Sequence, residues 1–210
     1  MSASTWPPDS PEAALLAQAA PAEEIPAAVL VPLFLAGSEP EPHVVLTRRR
    51  SDLRRHAGEI SFPGGRKDEQ DRDLTETALR EAEEEIGLQR SHARVLATLP
   101  ATSTFVTGYV IHPIVAEIPH GLAWTPSARE VDAVLELPID AVREGRMRTQ
   151  IRRRGIAFET DAYVVDEHII WGATARIIDH LLERLRAGRG DGRIEMLPEP
   201  GAPESPGGGP

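Results

Sequence analysis

The chain has 210 residues, of which 40% are hydrophobic, and this is enough apolar material to bury a full core. It carries 33 acidic and 23 basic residues, for a formal net charge of -10, and this acidity argues against a polynucleotide-binding protein. The absence of cysteine excludes disulfides and thiol chemistry. No segment approaches the roughly 20 apolar residues that a membrane helix needs, so we expect no membrane partner.

The two ends of the chain differ in composition from its middle. Residues 1–24 are rich in Pro, Ala, Ser and Glu, and residues 188–210 run through Gly, Pro, Glu and Arg without periodicity. Such compositions are typical of disordered tails, so we expect one folded domain over residues 25–187. The start has no basic region followed by a long apolar stretch, which argues against a signal peptide. With no cysteine either, a cytoplasmic location is the default expectation.

The domain opens with two predicted strands, 27–35 and 43–47, the first of them interrupted by Pro32. A dense basic patch follows, formed by Arg48, Arg49, Arg50, Arg54 and Arg55. Guanidinium groups donate paired hydrogen bonds to phosphate oxygens, so this patch is a candidate phosphate-binding segment. The alternative is that several of these arginines are solvated or paired with neighbouring acids, and we favour that alternative for Arg48 and Arg50.

Residues 80–88 predict a short helix whose carboxylates lie opposite its apolar side. Four apolar side chains fall on the stripe that should face the core, namely Ala78, Leu79, Ala82 and Ile86. Glu81, Glu84 and Glu85 fall on the outward side at spacings i, i+3 and i+4. Like charges at this spacing destabilise a helix, whereas a hard cation such as Mg²⁺ or Mn²⁺ would reverse that cost. We therefore predict a divalent-metal site here; a solvated acidic face is the alternative.

The segment around this helix has recognisable boundaries. Asp73 or Thr75 is a suitable N-cap, and Gly87 is a suitable C-terminal stop. Upstream, a strand-like stretch ends in Gly64 and Gly65, where two successive glycines permit a turn that other residues adopt at a cost. The whole unit is a strand, a glycine turn, a loop, an acidic helix and a glycine.

This unit resembles the signature of the Nudix hydrolases, whose second half reads Arg-Glu-apolar-x-Glu-Glu-x-Gly-apolar. Every specified position of that half is matched, by Arg80, Glu81, Ala82, Glu84, Glu85, Gly87 and Leu88. The first half departs from the pattern. Gly65 lies one residue farther from Arg80 than the general signature requires, and no Glu fills the leading acidic position, where Asp71, Arg72 and Asp73 stand instead.

The resemblance implies an α/β fold, the Nudix-type α/β/α sandwich with a mixed central β-sheet, and metal-dependent hydrolysis of a pyrophosphate bond. It implies that Mg²⁺ or Mn²⁺ is held by Glu81, Glu85 and Glu84 together with the backbone carbonyl of Gly65. Arg80 is expected to orient one of these carboxylates by a charge-assisted hydrogen bond. The general base is left open between a signature glutamate and a loop acid, for which the candidates are Glu130, Asp166 and Glu167.

A second motif, which overlaps the first, resembles the coenzyme A pyrophosphatase branch of the family. Its matched positions are Leu46, Thr47, Arg49, Arg54, Gly58, Phe62, Pro63, Gly64 and Gly65. Arg50 replaces the Ser of that pattern, and the extra residue before the acidic helix also fits this branch. The resemblance implies cleavage of coenzyme A into 3′,5′-ADP and 4′-phosphopantetheine. The substrate-binding residues that it implies are Arg49, Arg54, Gly58, Phe62 and Gly64.

The second half of the domain alternates predicted strands and helices. Strands are expected at 93–99, 109–118 and 131–138, a short helix at 140–144, and a hairpin over 151–165 that turns at Arg154-Gly155. An amphipathic helix is expected over 169–186, with a stripe formed by Ile170, Ala173, Ile177, Leu181 and Leu185. The segment 171–176 again resembles the coenzyme A branch.

Two rival functions are left open. The first is a Nudix enzyme that acts on another nucleoside diphosphate compound, such as an oxidised nucleotide, NADH, a dinucleoside polyphosphate or a sugar nucleotide. The second is a Nudix-like sensor without activity, against which the intact set of Glu81, Glu84 and Glu85 weighs. Members of the family often form homodimers, and no sequence feature decides this for the present chain.

Overall fold

The computed structural model describes residues 24–50, 52, 58–104, 108–153 and 156–188. The strands are β1 (Ile25–Ala36), β2 (Glu41–Arg49), β3 (Ile60–Ser61), β4 (Gly64–Arg66), β5 (Arg94–Thr98), β6 (Thr102–Ser103), β7 (Tyr109–Glu117), β8 (Val131–Pro138), β9 (Arg146–Arg153), β10 (Ile156–Val165) and β11 (His168–Trp171). The helices are α1 (Leu74–Ile86), α2 (Ile139–Glu144) and α3 (Gly172–Gly188), with a 3-10 turn at Arg90–His92. Within these residues, no helix is long and apolar enough to cross a membrane.

The larger sheet is mixed, as the sequence predicts. Strands β1 and β7 run parallel, in register from Ile25 opposite Tyr109 to Leu33 opposite Glu117. On its other edge β1 pairs antiparallel with β2 and with β4. Strand β8 is antiparallel to β2, and β5 and β6 are antiparallel to β7. Strands β9, β10 and β11 form a separate antiparallel sheet.

Side chains of β1 alternate between two hydrophobic cores, because successive residues of a strand point to opposite faces of the sheet. Leu30 belongs to the core that contains Ala82 and Ile86 of α1. Its neighbour Val31 belongs to the other core, which contains Ile177 and other residues of α3. The sheet is therefore covered by α1 on one face and by α3 on the other, which confirms the predicted α/β/α sandwich.

Pro32 does not interrupt the first strand, contrary to the expectation from sequence. Strand β1 continues for 12 residues, and its pairing with β7 runs through Pro32, which lies opposite Ala116. Proline removes a single N–H donor, and the N–H groups of a strand alternate between its two edges. The pairing of β1 with β7 therefore continues on both sides of Pro32.

The predicted helix over 169–186 begins three residues too early. Ile169 and Trp171 lie in β11, where Trp171 pairs with Ala162 of β10, and α3 starts at Gly172. Gly172 has a φ of +68°, a backbone conformation that glycine adopts readily, so it turns the chain from strand into helix. Of the predicted stripe, Ile177 and Leu181 are buried in α3, and Ile170 is buried from β11 instead.

The predicted hairpin is present, but its first strand is longer than expected. Strand β9 starts at Arg146 rather than at Ile151, and it pairs antiparallel with β10. The turn residues Arg154 and Gly155 lie outside the described residues, as do all but Glu24 and Gly188 of the predicted tails over 1–24 and 188–210. The limits of the folded domain therefore stay a prediction.

Candidate active site

Local signals fix both ends of helix α1. The Oδ1 atom of Asp73 accepts a hydrogen bond from the backbone N–H of Glu76 at 2.8 Å, so Asp73 is the N-cap and Thr75 lies within the helix. Gly87 takes the left-handed conformation at φ +72°, and its N–H donates to the carbonyl of Glu83 at 3.0 Å. Both predicted helix boundaries are confirmed.

The three signature glutamates differ in exposure, although the helical spacing predicts that all three face outward. The Glu84 side chain is 60% exposed, whereas Glu85 is only 5% exposed. The prediction is therefore wrong for Glu85. The backbone N–H of Gly64 donates to its Oε2 atom at 3.2 Å, and the N–H of Ser127 donates to its backbone carbonyl at 2.8 Å. A turn and a loop distant in sequence thus lie against this residue.

Burial changes the ionisation of two of these carboxyls. Desolvation raises the pKa of Glu85 to about 7, although the charge of Arg49 and the hydrogen bond from Gly64 oppose that rise. Desolvation also raises the pKa of Glu81, against the hydrogen bond from Arg80. Both side chains therefore hold negative charge at a cost that a nearby cation would reduce.

The glycine turn brings the backbone against the acidic helix. A Cβ atom on Gly65 would lie 2.5 Å from Oε1 of Glu81, which is closer than atoms can approach. A Cβ atom on Gly64 would lie 2.4 Å from the carbonyl oxygen of Ala28 in β1. Close approach to the backbone therefore requires glycine at position 64, whereas at position 65 the Glu81 carboxylate would have to move. The two glycines place backbone groups of the turn directly beside the carboxylates.

Arg80 is held in place by Asp71, a residue for which the sequence suggested no role. The Nε and Nη2 atoms of Arg80 donate to the two carboxylate oxygens of Asp71 at 2.9 and 3.0 Å. Thr77 Oγ1 and the N–H of Asp68 also donate to Asp71, each at 2.9 Å. These contacts hold the pKa of Asp71 well below its usual range. An Asp thus stands at the leading acidic position and fixes the signature arginine.

The remaining donor of Arg80 reaches the signature acids. Its Nη1 atom donates to Glu81 Oε1 at 2.9 Å and to Glu84 Oε2 at 3.4 Å. The expected charge-assisted hydrogen bond is therefore present. Through it, Arg80 links the buried Asp71 to Glu81 and Glu84. Its own pKa is raised by these acids, so it stays charged.

Arg49 lies at the centre of the site, between two acids from different parts of the chain. Its Nη1 atom is 3.5 Å from Oε1 of Glu85, and its Nη2 atom donates to Oε2 of Glu130 at 3.2 Å. Its Nε atom is buried and has no hydrogen-bond partner among the described residues. Arg49 therefore keeps an unused donor beside the acidic helix.

Two other arginines of the basic patch, Arg48 and Arg50, are paired with acids, as we expected. Arg48 Nη2 is 2.8 Å from Oδ2 of Asp132. Arg50 donates to both carboxylate oxygens of Asp52, at 2.9 and 2.7 Å. Arg54 lies outside the described residues, so its predicted phosphate contact stays a prediction.

The remaining predicted residues are spread over the fold. Gly58 has a φ of +70°, which favours glycine. Phe62 is 2% exposed and packs in the core on the α3 side of the sheet, so a packing role is evident and its substrate contact stays a prediction. Of the loop acids considered as general base, Glu130 reaches the site through Arg49. Asp166 and Glu167 lie in the turn between β10 and β11.

The donor chemistry of the site suits a hard divalent cation, although the carboxylates are not arranged around one point. Oxygen atoms of Glu81, Glu84 and Glu85 are ligands that Mg²⁺ and Mn²⁺ prefer. In the part of the chain that the structure describes, no three Asp, Glu, His or Cys side chains are grouped for metal binding. Arg80 and Arg49 occupy positions next to these carboxylates and offset their charge.

Known proteins resemble this chain in sequence and in fold. A family model for the NUDIX domain matches residues 24–155. The chain is 40% identical over 157 residues to proteins named uncharacterized Nudix hydrolase NudL from Escherichia coli O7:K1 and from Shigella boydii serotype 18. Each match covers 74% of this chain and 80% of the relative.

Solved structures show the same fold at low sequence identity. The Nudix hydrolase RenU of M. smegmatis has a TM-score of 0.57 and 18% identity, over 78% of this chain and 87% of RenU. The NUDIX domain of Shewanella oneidensis NrtR, solved in complex with ADP ribose, has a TM-score of 0.52 and 18% identity, over 84% and 99% of the two chains. From the domain match, the curated relatives and the signature on α1, the chain is a member of the Nudix hydrolase family.

Proposed function

We propose that this Nudix hydrolase cleaves the pyrophosphate bond of coenzyme A or its derivatives, giving 3′,5′-ADP and 4′-phosphopantetheine or its acyl form. The observation that carries the proposal is the 3.5 Å approach of Arg49 to Glu85. Arg49 belongs to the motif that resembles the coenzyme A branch, and Glu85 belongs to the signature helix. A phosphate bound by Arg49 would therefore lie beside the acids that support hydrolysis.

The charge of coenzyme A fits the basic patch. The substrate carries a pyrophosphate and a separate ribose phosphate, and each group needs cationic hydrogen-bond donors. Arg49 has an unused buried Nε donor, and Arg48 and Arg50 are occupied by acids. We therefore assign phosphate binding to Arg49 and, from the motif, to Arg54.

A divalent ion, when bound, neutralises phosphate oxygens and lowers the pKa of the attacking water. We propose that Glu81, Glu85 and Glu84 hold Mg²⁺ or Mn²⁺, with the backbone carbonyl of Gly65 as a further ligand. These carboxylates would hold the ion with the oxygen atoms that their guanidinium contacts leave free. Arg80 would keep its two hydrogen bonds to Asp71 and its Nη1 contacts to Glu81 and Glu84, so it would orient these acids.

Residues of the chain itself would bind the substrate and accept the proton of the attacking water. Arg49 binds and orients a substrate phosphate, and Gly64 and Gly65 allow the turn to lie against β1 and the acidic helix. Glu130 is the loop acid that reaches the site, through its hydrogen bond from Arg49, and it is our candidate for accepting a proton from the attacking water besides the signature glutamates. We also propose a cytoplasmic location, a folded domain over residues 25–187 and a homodimer.

The test is mass analysis of the products formed from coenzyme A with the full chain and Mg²⁺ or Mn²⁺. We expect equal amounts of 3′,5′-ADP and 4′-phosphopantetheine, and no reaction with the Glu81→Gln variant. The same assay should include NADH, ADP ribose, an oxidised nucleotide and a dinucleoside polyphosphate. Faster cleavage of any of these would replace coenzyme A as the substrate, and failure to cleave all of them would point to a sensor.

A further inference from the structure

A cavity of about 300 Å³ lies between α2, the β9–β10 hairpin and α3. Its polar walls include Arg143 of α2, Arg146 of β9, Tyr163 of β10, and Arg176, His180 and Arg186 of α3. None of these residues belongs to the candidate active site. The helix α3 covers the opposite face of the sheet from α1, so the cavity is separate from the signature acids.

The charge of this cavity is opposite to that of the whole chain. Four guanidinium groups line it, against the two carboxylates of Asp179 and Glu183. Asp179 is already engaged, because its Oδ1 atom accepts a hydrogen bond from the Tyr163 hydroxyl at 2.6 Å and lies 3.4 Å from Arg146 Nε. Asp140, which does not line the cavity, pairs with Arg143, so four guanidinium groups stand against three carboxylates and a local excess of one positive charge remains in a protein of net charge -10.

Two buried polar atoms of the cavity residues have no hydrogen-bond partner among the described residues. They are Nε of Arg143, whose Nη1 atom pairs with Asp140, and Nδ1 of His180. In the same part of the chain, no carboxylate forms an ion pair with Arg186. Buried polar atoms in native proteins nearly always have partners, and the Nε–H group of Arg143 is a donor suited to an acceptor-rich ligand.

We propose that this cavity binds the phosphate group of a small anionic ligand, either free phosphate or a phosphate monoester. Guanidinium forks match the oxygens of a phosphate, and the volume is at the lower end of ligand pockets, which suits a small molecule better than a dinucleotide. The inference rests on the cavity itself and is independent of the substrate proposed above.

Calorimetric titration of the full chain with potassium phosphate tests this site, with ionic strength held constant by potassium chloride. We expect Arg186→Gln and Arg143→Gln each to weaken phosphate binding by about tenfold. Arg184→Gln is the matched control, because Arg184 is exposed on the same helix and does not line the cavity; its affinity should stay within about twofold. Binding should persist in Arg49→Ala, which removes the residue assigned to phosphate binding in the active site and so separates the two sites.

A parallel titration with glycerol phosphate distinguishes free phosphate from a phosphate monoester. The compound that binds more tightly identifies which of the two the cavity prefers. Arg186 is exposed, so its variant should fold even if Arg143→Gln does not. Equal phosphate affinity in Arg186→Gln, Arg184→Gln and the unmodified chain would overturn the proposal. Crystals soaked in tungstate should show anomalous density in the cavity, and density confined to the acidic helix would also overturn it.

Discussion

The Nη1 atom of Arg49 lies 3.5 Å from Oε1 of Glu85, although the two residues belong to different elements and different sequence motifs. Arg49 ends β2, and Glu85 lies in the last turn of α1. The contact joins the motif that resembles the coenzyme A branch with the helix that carries the Nudix signature. It also balances the charge of a carboxylate that is almost fully buried.

Replacing Glu85 by Gln should abolish most of the activity and preserve the fold. We expect turnover of coenzyme A to fall by at least about a hundredfold in saturating Mg²⁺, because the proposed metal site loses one of its ligands. Glutamine keeps the shape of the side chain and removes a charge that burial disfavours, so the melting temperature should not fall. Glu83→Gln is the matched control, since Glu83 is exposed and pairs with Arg90 at 2.9 Å. Near-normal turnover of Glu85→Gln would contradict the metal role.

Replacing Arg49 by Ala should weaken recognition of the substrate. We expect KM for coenzyme A to rise by about tenfold, because a charge-assisted contact to phosphate is lost. The rise should be similar for dephospho-coenzyme A, which lacks the ribose phosphate and keeps the pyrophosphate, because Arg49 is assigned to the phosphate beside the signature acids. Arg48→Ala is the control, since Arg48 is paired with Asp132. A clearly smaller rise for dephospho-coenzyme A would assign Arg49 to the ribose phosphate and contradict this prediction.

Replacing Asp71 by Asn should destabilise the protein. Asp71 is buried and its carboxylate holds Arg80 by two hydrogen bonds, so breaking the pair should lower the free energy of unfolding by roughly 3 kcal/mol. Urea denaturation measures this change. Asp132→Asn breaks an exposed pair with Arg48 and should cost less than about 1 kcal/mol. Similar decreases in the free energy of unfolding of both variants would show that the buried Asp71 pair stabilises the fold no more than an exposed pair does.

The same residue predicts a dependence of stability on pH. The pKa of Asp71 is lower in the folded than in the unfolded protein, so its contribution is fully present above the unfolded pKa of about 4 and is lost as pH falls below that value toward the folded pKa. The difference in unfolding free energy between the unmodified chain and Asp71→Asn should therefore be constant from pH 7 to 5. It should shrink below about pH 4. A difference that grew in acid would contradict the assigned direction.

The two glycines of the turn should respond differently to substitution by Ala. At Gly65 the added Cβ meets the carboxylate of Glu81, a side chain that can move, so turnover should fall with little change in melting temperature. At Gly64 it meets the backbone of Ala28, which cannot move freely, so the unfolding free energy should fall by about 2 kcal/mol. Assays of activity and thermal melting on both variants separate these effects. Equal loss of stability at both positions would contradict the difference.

Signals that are local in the sequence predicted α1 well. The helical spacing, the Asp73 cap and the Gly87 stop all depend on neighbours within a few residues. The burial of Glu85 could not be predicted in this way, because it depends on Gly64 and Ser127, which approach the helix only in the folded chain. The role of Asp71 was missed for the same reason, since its partner Arg80 lies nine positions along the chain.

The boundary between β11 and α3 shows a different limit of prediction. Ile169, Ile170 and Trp171 are apolar and fit either a strand or the first turn of a helix, and only pairing with β10 decides between them. Strand β9 was predicted too short because residues 146–150 are mostly polar and leave no apolar alternation. Its pairing with β10 extends the strand without that signal.

The alternating side chains of β1 also bear on cooperativity. Leu30 and Val31 are adjacent in the chain, yet each is fully buried in a different hydrophobic layer. Because β1 contributes side chains to both layers, displacement of this strand would disrupt the packing of both. The two faces of the molecule should therefore melt together, and the half that carries the signature acids is stabilised in part by apolar contacts on the far side of the sheet.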